Sequence, residues 1–169
     1  MFRNICRLLF IAVTVFLFSA CNRHTSKGSS LPAANGSSSS NINLSGIEND
    51  ILYYINQYRK SAGKTELRMI NAASSEAAKH SNAMASRSTG FGHKGFEIRV
   101  TNISRQIGPV SAAAENVAYG KLTAQQVVNG WLKSPGHKKN IDGNYSLTGI
   151  GVAKDNKGII FFTQIFLRK

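Results

Sequence analysis

The chain has 169 residues, 42% of them hydrophobic and 17% charged, enough apolar material for one packed domain and too little length for two of ordinary size. Aromatics at 9% exclude wholesale disorder, collagen and coiled coil, and two cysteines exclude a disulfide scaffold or a four-cysteine zinc site. Lys and Arg number 21 against 8 acids, a formal charge of +13, which favours partners with negative surfaces.

Residues 1–20 read as an export signal. Arg3 and Arg7 precede an apolar run from Leu8 to Phe18, far short of the roughly 20 residues a membrane-spanning helix needs. The run ends in Leu17-Phe18-Ser19-Ala20-Cys21, which resembles the lipobox of bacterial lipoproteins, although Phe18 departs from the usual aliphatic residue. That resemblance implies diacylglycerol transfer to the Cys21 thiol, cleavage before Cys21 and acylation of the new terminus. Several acyl chains anchor far better than one. The expected location is extracytoplasmic, on the bacterial cell membrane or outer membrane. An ordinary secretory signal with a chance cysteine, or an unprocessed core helix, are the alternatives. Cys6 falls in the removed segment.

Residues 21–45 then comprise the acylated cysteine and a tether with Gly28, Gly36 and the run Ser37-Ser38-Ser39-Ser40. With hardly an apolar residue to bury, the tether is expected to be disordered, with an r.m.s. span of about 25–30 Å. His24 has no evident role there. Residues 46–169 are expected to form the folded domain.

The domain opens with Ser45 and Glu48 at capping-box spacing, and Ile47, Ile51, Tyr54, Ile55 and Tyr58 follow at helical intervals until Gly63. A second helix is expected from Asn71 as N-cap, with Ala73, Ala77, His80 and Met84 on one face. Thr123 and Gln126 cap a third, whose stripe is Ala124, Val127, Val128 and Trp131, and Ser134-Pro135 starts another. Leu147 to Ala153 and Ile159 to Leu167, joined across Asp155-Asn156-Lys157-Gly158, read as an antiparallel hairpin. In the last strand Ile160, Phe162 and Phe166 share one face and Ile159, Phe161, Ile165 and Leu167 the other. A strand apolar on both faces needs helices on both sides. With a further strand near Ala114 to Tyr119, the expected class is α+β, a three-layer α-β-α sandwich on a mainly antiparallel sheet of about three strands.

Three polar residues stand out. His93 lies in a Gly-rich loop after the second helix, Glu115 in Ala114-Glu115-Asn116-Val117, and His137 in Ser134-Pro135-Gly136-His137. Their spacing makes no local metal motif. His137, in the first turn of its helix, meets a dipole that disfavours imidazolium and leaves a neutral nitrogen. On the residues alone, satisfied structural polar groups are the default reading of all three, ahead of a joint site.

Several segments resemble the SCP or CAP superfamily of cysteine-rich secretory proteins, antigen 5 and plant pathogenesis-related proteins, in its short bacterial branch. They are Ile55-Asn56-Gln57-Tyr58-Arg59, the run from Ala77 to Ala85, Ala114 to Gly120, Gly130 to His137, and Gly149-Ile150-Gly151-Val152 with Phe162-Thr163-Gln164. They fall in family order. The resemblance implies an α-β-α sandwich and a central cavity lined by His93, Glu115 and His137, which in several members holds a divalent metal. Phe161 stands where many eukaryotic members have a histidine, and Ser134 near their second glutamate. His80, on an apolar face, is expected to be a hydrogen-bonded core histidine.

Two imidazoles and a carboxylate would supply three ligands to a metal such as zinc and leave one position open. Hydrolysis also needs a base, and Glu115 cannot readily serve as both ligand and base. Glu97, the nearest further carboxylate, reads as the start of a solvated helix. A binding module for a lipid, sterol-like, glycan or metal ligand therefore ranks above a metal-dependent hydrolase of peptide or cell-wall substrates and above a structural or adhesive surface protein. Scattered basic residues without interleaved aromatics argue against nucleic acid. A monomer is expected.

Overall fold

The computed structural model describes residues 44–169. The signal peptide, Cys21 and the tether as far as residue 43 lie outside the described residues. The described residues form one compact unit. In chain order its elements are α1 (Leu44–Ser61), β1 (Arg68–Met69), α2 (Asn71–Ala85), α3 (Phe96–Ile107), β2 (Ala112–Gly120), α4 (Ala124–Lys133), α5 (Pro135–Ile141), β3 (Leu147–Lys154) and β4 (Ile160–Arg168).

The sheet has four strands in the order β1-β3-β4-β2, one more than expected, and the additional strand β1 pairs parallel to β3. β4 is antiparallel to both its neighbours, so Gly120, Ile160 and Lys154 end the sheet in one row. The alternation expected for β4 puts Ile160, Phe162 and Phe166 into a core with Ile51, Ile55, Val127 and Trp131 of α1 and α4. Ile165 and Leu167 enter a second core with Ala73, Ala77 and Ile103 of α2 and α3. Helices on both faces of one sheet complete the three-layer sandwich.

Both layers are fastened by close contacts. A Cβ at Gly149 would overlap the backbone of Ala73 and Ser74, and one at Gly151 that of Ala77 and Ala78. These glycines let the α2 backbone lie directly on β3. On the other face Trp131, 2% exposed, donates its indole N–H to Val117 O at 3.3 Å. Arg59 is buried near the end of α1, where its guanidinium donates to four carbonyls, Thr65, Ile141, Gly143 and Tyr145, at 2.6–3.0 Å. Four carbonyl dipoles replace the water such a charge loses.

Three local expectations need correction. α1 begins at Leu44, so Ser45 is not its N-cap, and Glu48 instead accepts the Val152 N–H across the layer at 3.1 Å. Asn71 is the first residue of α2 rather than its cap; the cap is Ile70, extended and without a capping side chain. The cause is the neighbouring strand, since Ile70 N–H donates to Thr148 O and Ile70 O accepts from Ser74, so β1 passes straight into the helix. β4 starts at Ile160, because Ile159 N–H is taken by the Asp155 carboxylate inside the turn. The capping box of α4 forms as expected, with Thr123 and Gln126 exchanging both bonds.

Candidate functional site

β2 is an outer strand of the sheet. On the α2/α3 face it presents Glu115, whose side chain is 1% exposed. Its carboxylate has three donors. Arg99 Nε reaches Oε2 at 2.8 Å and Arg99 Nη2 reaches Oε1 at 2.7 Å, a bidentate pair, while His93 Nδ1–H donates to Oε1 at 2.9 Å. The guanidinium also donates to Lys94 O at 2.9 Å, which ties the loop carrying His93 to α3. A buried carboxylate is thus neutralised by a buried arginine, and a half-exposed imidazole is oriented by the same carboxylate. His93 Nε2 has no protein partner among the described residues.

His80 supports this arrangement from beneath. It is buried on α2, and its Nε2–H donates to Gly92 O at 2.7 Å, fixing the backbone next to His93. Burial holds the His80 pKa below its ordinary value, against the opposing pull of the bond to Gly92. It is a hydrogen-bonded core histidine.

His137 reaches the same strand from the other side. Its Nδ1 lies 2.9 Å from Ser134 Oγ, in the first turn of α5. Asn116, next to Glu115 and fully buried, donates to His137 O at 3.2 Å, and Asn140 donates to both Glu115 O and Asn116 Oδ1 at 3.1 and 2.9 Å. Burial lowers the His137 pKa most, and the charge of His93 lowers it further. His93 and Glu115 are therefore in contact, and His137 stands within electrostatic reach of His93 without bonding to either. Phe161 stacks on Tyr119, with ring centres 5.8 Å apart.

The residue missed from sequence is Arg99. Its signal was present: Arg99 and Ile103 are four apart on one helix stripe, and both are buried. A charge on an apolar stripe demands a partner of opposite charge. Glu97 is exposed, as expected for a solvated position. Among the described residues no group of three or more His, Cys, Asp or Glu side chains is placed to hold a metal ion.

The family model for the cysteine-rich secretory protein family, CAP, matches residues 52–166. The chain belongs to the CAP family. Its CAP domain superposes on an outer surface protein from Borrelia burgdorferi with a TM-score of 0.67 at 21% identity, covering 76% of this chain and 96% of that one. An extracellular protein containing an SCP domain from Bacillus anthracis gives a TM-score of 0.64 at 26% identity, covering 75% of this chain and 41% of that one. The curated relative YkwD of Bacillus subtilis, described as an uncharacterized protein, is 46% identical over 57 residues, 34% of this chain but only 21% of its own length. No described helix is long and apolar enough to cross a membrane.

Proposed function

We propose that this CAP protein is an extracytoplasmic lipoprotein, held to the envelope through Cys21, whose domain is a binding module and not a hydrolase. The extracytoplasmic placement draws support from the surface and extracellular CAP proteins it resembles and from the signal and lipobox-like residues up to Cys21.

The observation that carries binding over hydrolysis is the state of Glu115. Both oxygens accept from Arg99, so this site offers no carboxylate free to take a proton from water. The same pair bears on a metal. A full positive charge 2.7–2.8 Å from both oxygens opposes a second cation, so Glu115 does not suit direct ligation. It suits the role of a carboxylate behind a ligating histidine, since it accepts His93 Nδ1–H and leaves Nε2 for a ligand. His93 and His137, the latter favoured in its neutral form, are then the donors for a divalent metal such as zinc, or for a polar group of a glycan or lipid ligand. A zinc ion bound there would polarise a ligand oxygen as a Lewis acid.

Two measurements test the reading. Native mass spectrometry and zinc calorimetry on Ser40–Lys169, purified without a metal-affinity tag, should show His93→Ala and His137→Ala each losing about tenfold or more in affinity. Equal zinc binding by wild type and the double variant removes the metal from the proposal. Cys21→Ser should abolish acylation of the terminus and leave a protein that a high-salt wash strips from membranes. An unacylated wild-type terminus overturns the anchor.

A further inference from the structure

One end of the sheet carries a surface beside the His93–Glu115 site, joined to it through the loop that holds both Phe91 and His93. Beyond the last turn of α2, Phe91, Tyr119 and Phe161 form a continuous aromatic group. Phe91 meets Tyr119 edge to face at 4.8 Å, Tyr119 stacks on Phe161, and Phe91 and Tyr119 are 52% and 57% exposed. With Met84 and Arg87 they line a concavity of about 420 Å³. Large rings left in water in this number are a liability unless something covers them.

The cations around this group indicate what covers it. Arg87 and Lys154 both line an adjoining cleft. Lys154 ends β3 in the row that contains Gly120 and Ile160, Lys121 follows Gly120, and Lys121 Cε lies beside Gly158 of the turn that carries Lys157. All four are exposed and lack an ion pair among the described residues. Two acids at this end are held by backbone N–H donors and a third, Asp50 of α1, is exposed without an ion pair among the described residues. Asp155 accepts the N–H groups of Lys157 and Ile159 within its own turn, and Glu48 accepts Val152 N–H. Arg87 is also the single described non-glycine residue with positive φ, at 61°, a strained conformation at the rim of both concavities.

The same end receives the preceding chain. Glu48, in the first turns of α1, bonds Val152 near the end of β3, whereas Arg59, near the far end of α1, bonds the segment that leads into β3. The start of α1 thus lies at the aromatic and basic end. In sequence, residues 22–43 precede α1, and they contain Arg23 and Lys27 and no carboxylate.

We propose that this end, centred on Phe91 and Tyr119 and ringed by Arg87, Lys121, Lys154 and Lys157, is a docking surface for an anionic phospholipid bilayer. Aromatic rings settle at the headgroup level while the cations meet the surface charge. Chain entry at this end ties the docked orientation to an anchored terminus; the rings and cations themselves need no lipid on Cys21. Docking so directs the opposite end of the domain, with Arg59 and the α1 C-terminus, away from the membrane.

The test uses Ser40–Lys169, which contains both hydrophobic cores and lacks Cys21, so that failure of docking and failure of the anchor are separable; a cooperative melt first verifies its fold. In co-sedimentation it should bind phosphatidylcholine vesicles containing phosphatidylglycerol, weakly bind pure phosphatidylcholine, and release with salt. Lys121→Glu with Lys154→Glu should lower affinity about tenfold or more, as should Phe91→Ser with Tyr119→Ser, with melting temperatures unchanged. Lys60→Glu with Lys64→Glu at the opposite end should have little effect. Equal losses from both ends would reduce the binding to net charge and overturn the assignment. Retention on soluble polyglutamate without vesicle binding would give the surface to a polyanionic macromolecule and overturn it as well.

Discussion

Replacing Arg99 by Met tests the centre of the site. The change removes the bidentate donor to Glu115 and the bond to Lys94 O, and leaves a carboxylate 1% exposed with His93 Nδ1–H as its remaining side-chain donor. Breaking a buried pair from one side costs about 3–5 kcal/mol, because the surviving charge is left without compensation. For a domain of this size that is roughly 10–20 °C in Tm. Glu115→Leu alone should cost less, since Arg99 retains a carbonyl acceptor. The double variant should recover most of the Arg99→Met loss, giving a coupling of about 2 kcal/mol or more in urea unfolding. A second readout separates site from scaffold: with its guanidinium gone, Glu115 becomes available to cations, so Arg99→Met should bind zinc more tightly than wild type despite its lower stability. Additive losses within about 0.5 kcal/mol, or weaker zinc binding by Arg99→Met, would refute the argument that Arg99 holds Glu115 away from metal.

Trp131→Ala should cost about 3–5 kcal/mol by calorimetric melting, from lost burial and the lost bond to Val117; a loss under about 1 kcal/mol would mean that the core between α4 and the sheet is built otherwise. Gly151→Ala should be more harmful than its small volume suggests, because the methyl group meets the backbone of α2 and not a movable side chain; unchanged stability would refute the close approach of α2 to β3. His80 and His137 have folded pKa values below their ordinary 6.5. The unfolded chain therefore takes up protons first as pH falls, and the stability present above about 6.5 declines below it until the folded values are reached. Tm should fall between pH 7.5 and 5.5, and His80→Asn should flatten that slope; an unaltered slope would remove His80 as its source.

The parts of the fold that were legible rest on neighbours in sequence. Thr123 and Gln126 complete their box within one turn, Asp155 and Gly158 close the hairpin locally, and β4 announces its two cores by alternation. The parts that were not legible depend on distant partners. β1 is too short to show a period and exists because Leu147 and Thr148 pair with it. Glu48 leaves its own helix for Val152, more than one hundred residues away. At the site, sequence picked out His93, Glu115 and His137, yet the electrostatic part of Glu115 turns on Arg99. That pairing appears only when α3 is laid beside β2.

The two outer strands share a further property. At the residue that leads into β1, the Asn56 side chain both donates to Leu67 O and accepts Leu67 N–H, at 2.9 and 2.8 Å, occupying the place a neighbouring strand would take. Along β2, Asn140 takes Glu115 O and Trp131 takes Val117 O. Each rim of the sheet has its ladder groups at these positions consumed by side chains from the domain itself. An incoming strand from another molecule finds these positions filled and must break native bonds before it can make its own. For copies crowded side by side on a surface, that is protection against runaway β-pairing, and the Asn140 amide that supplies it on β2 is the same one that fastens the candidate site.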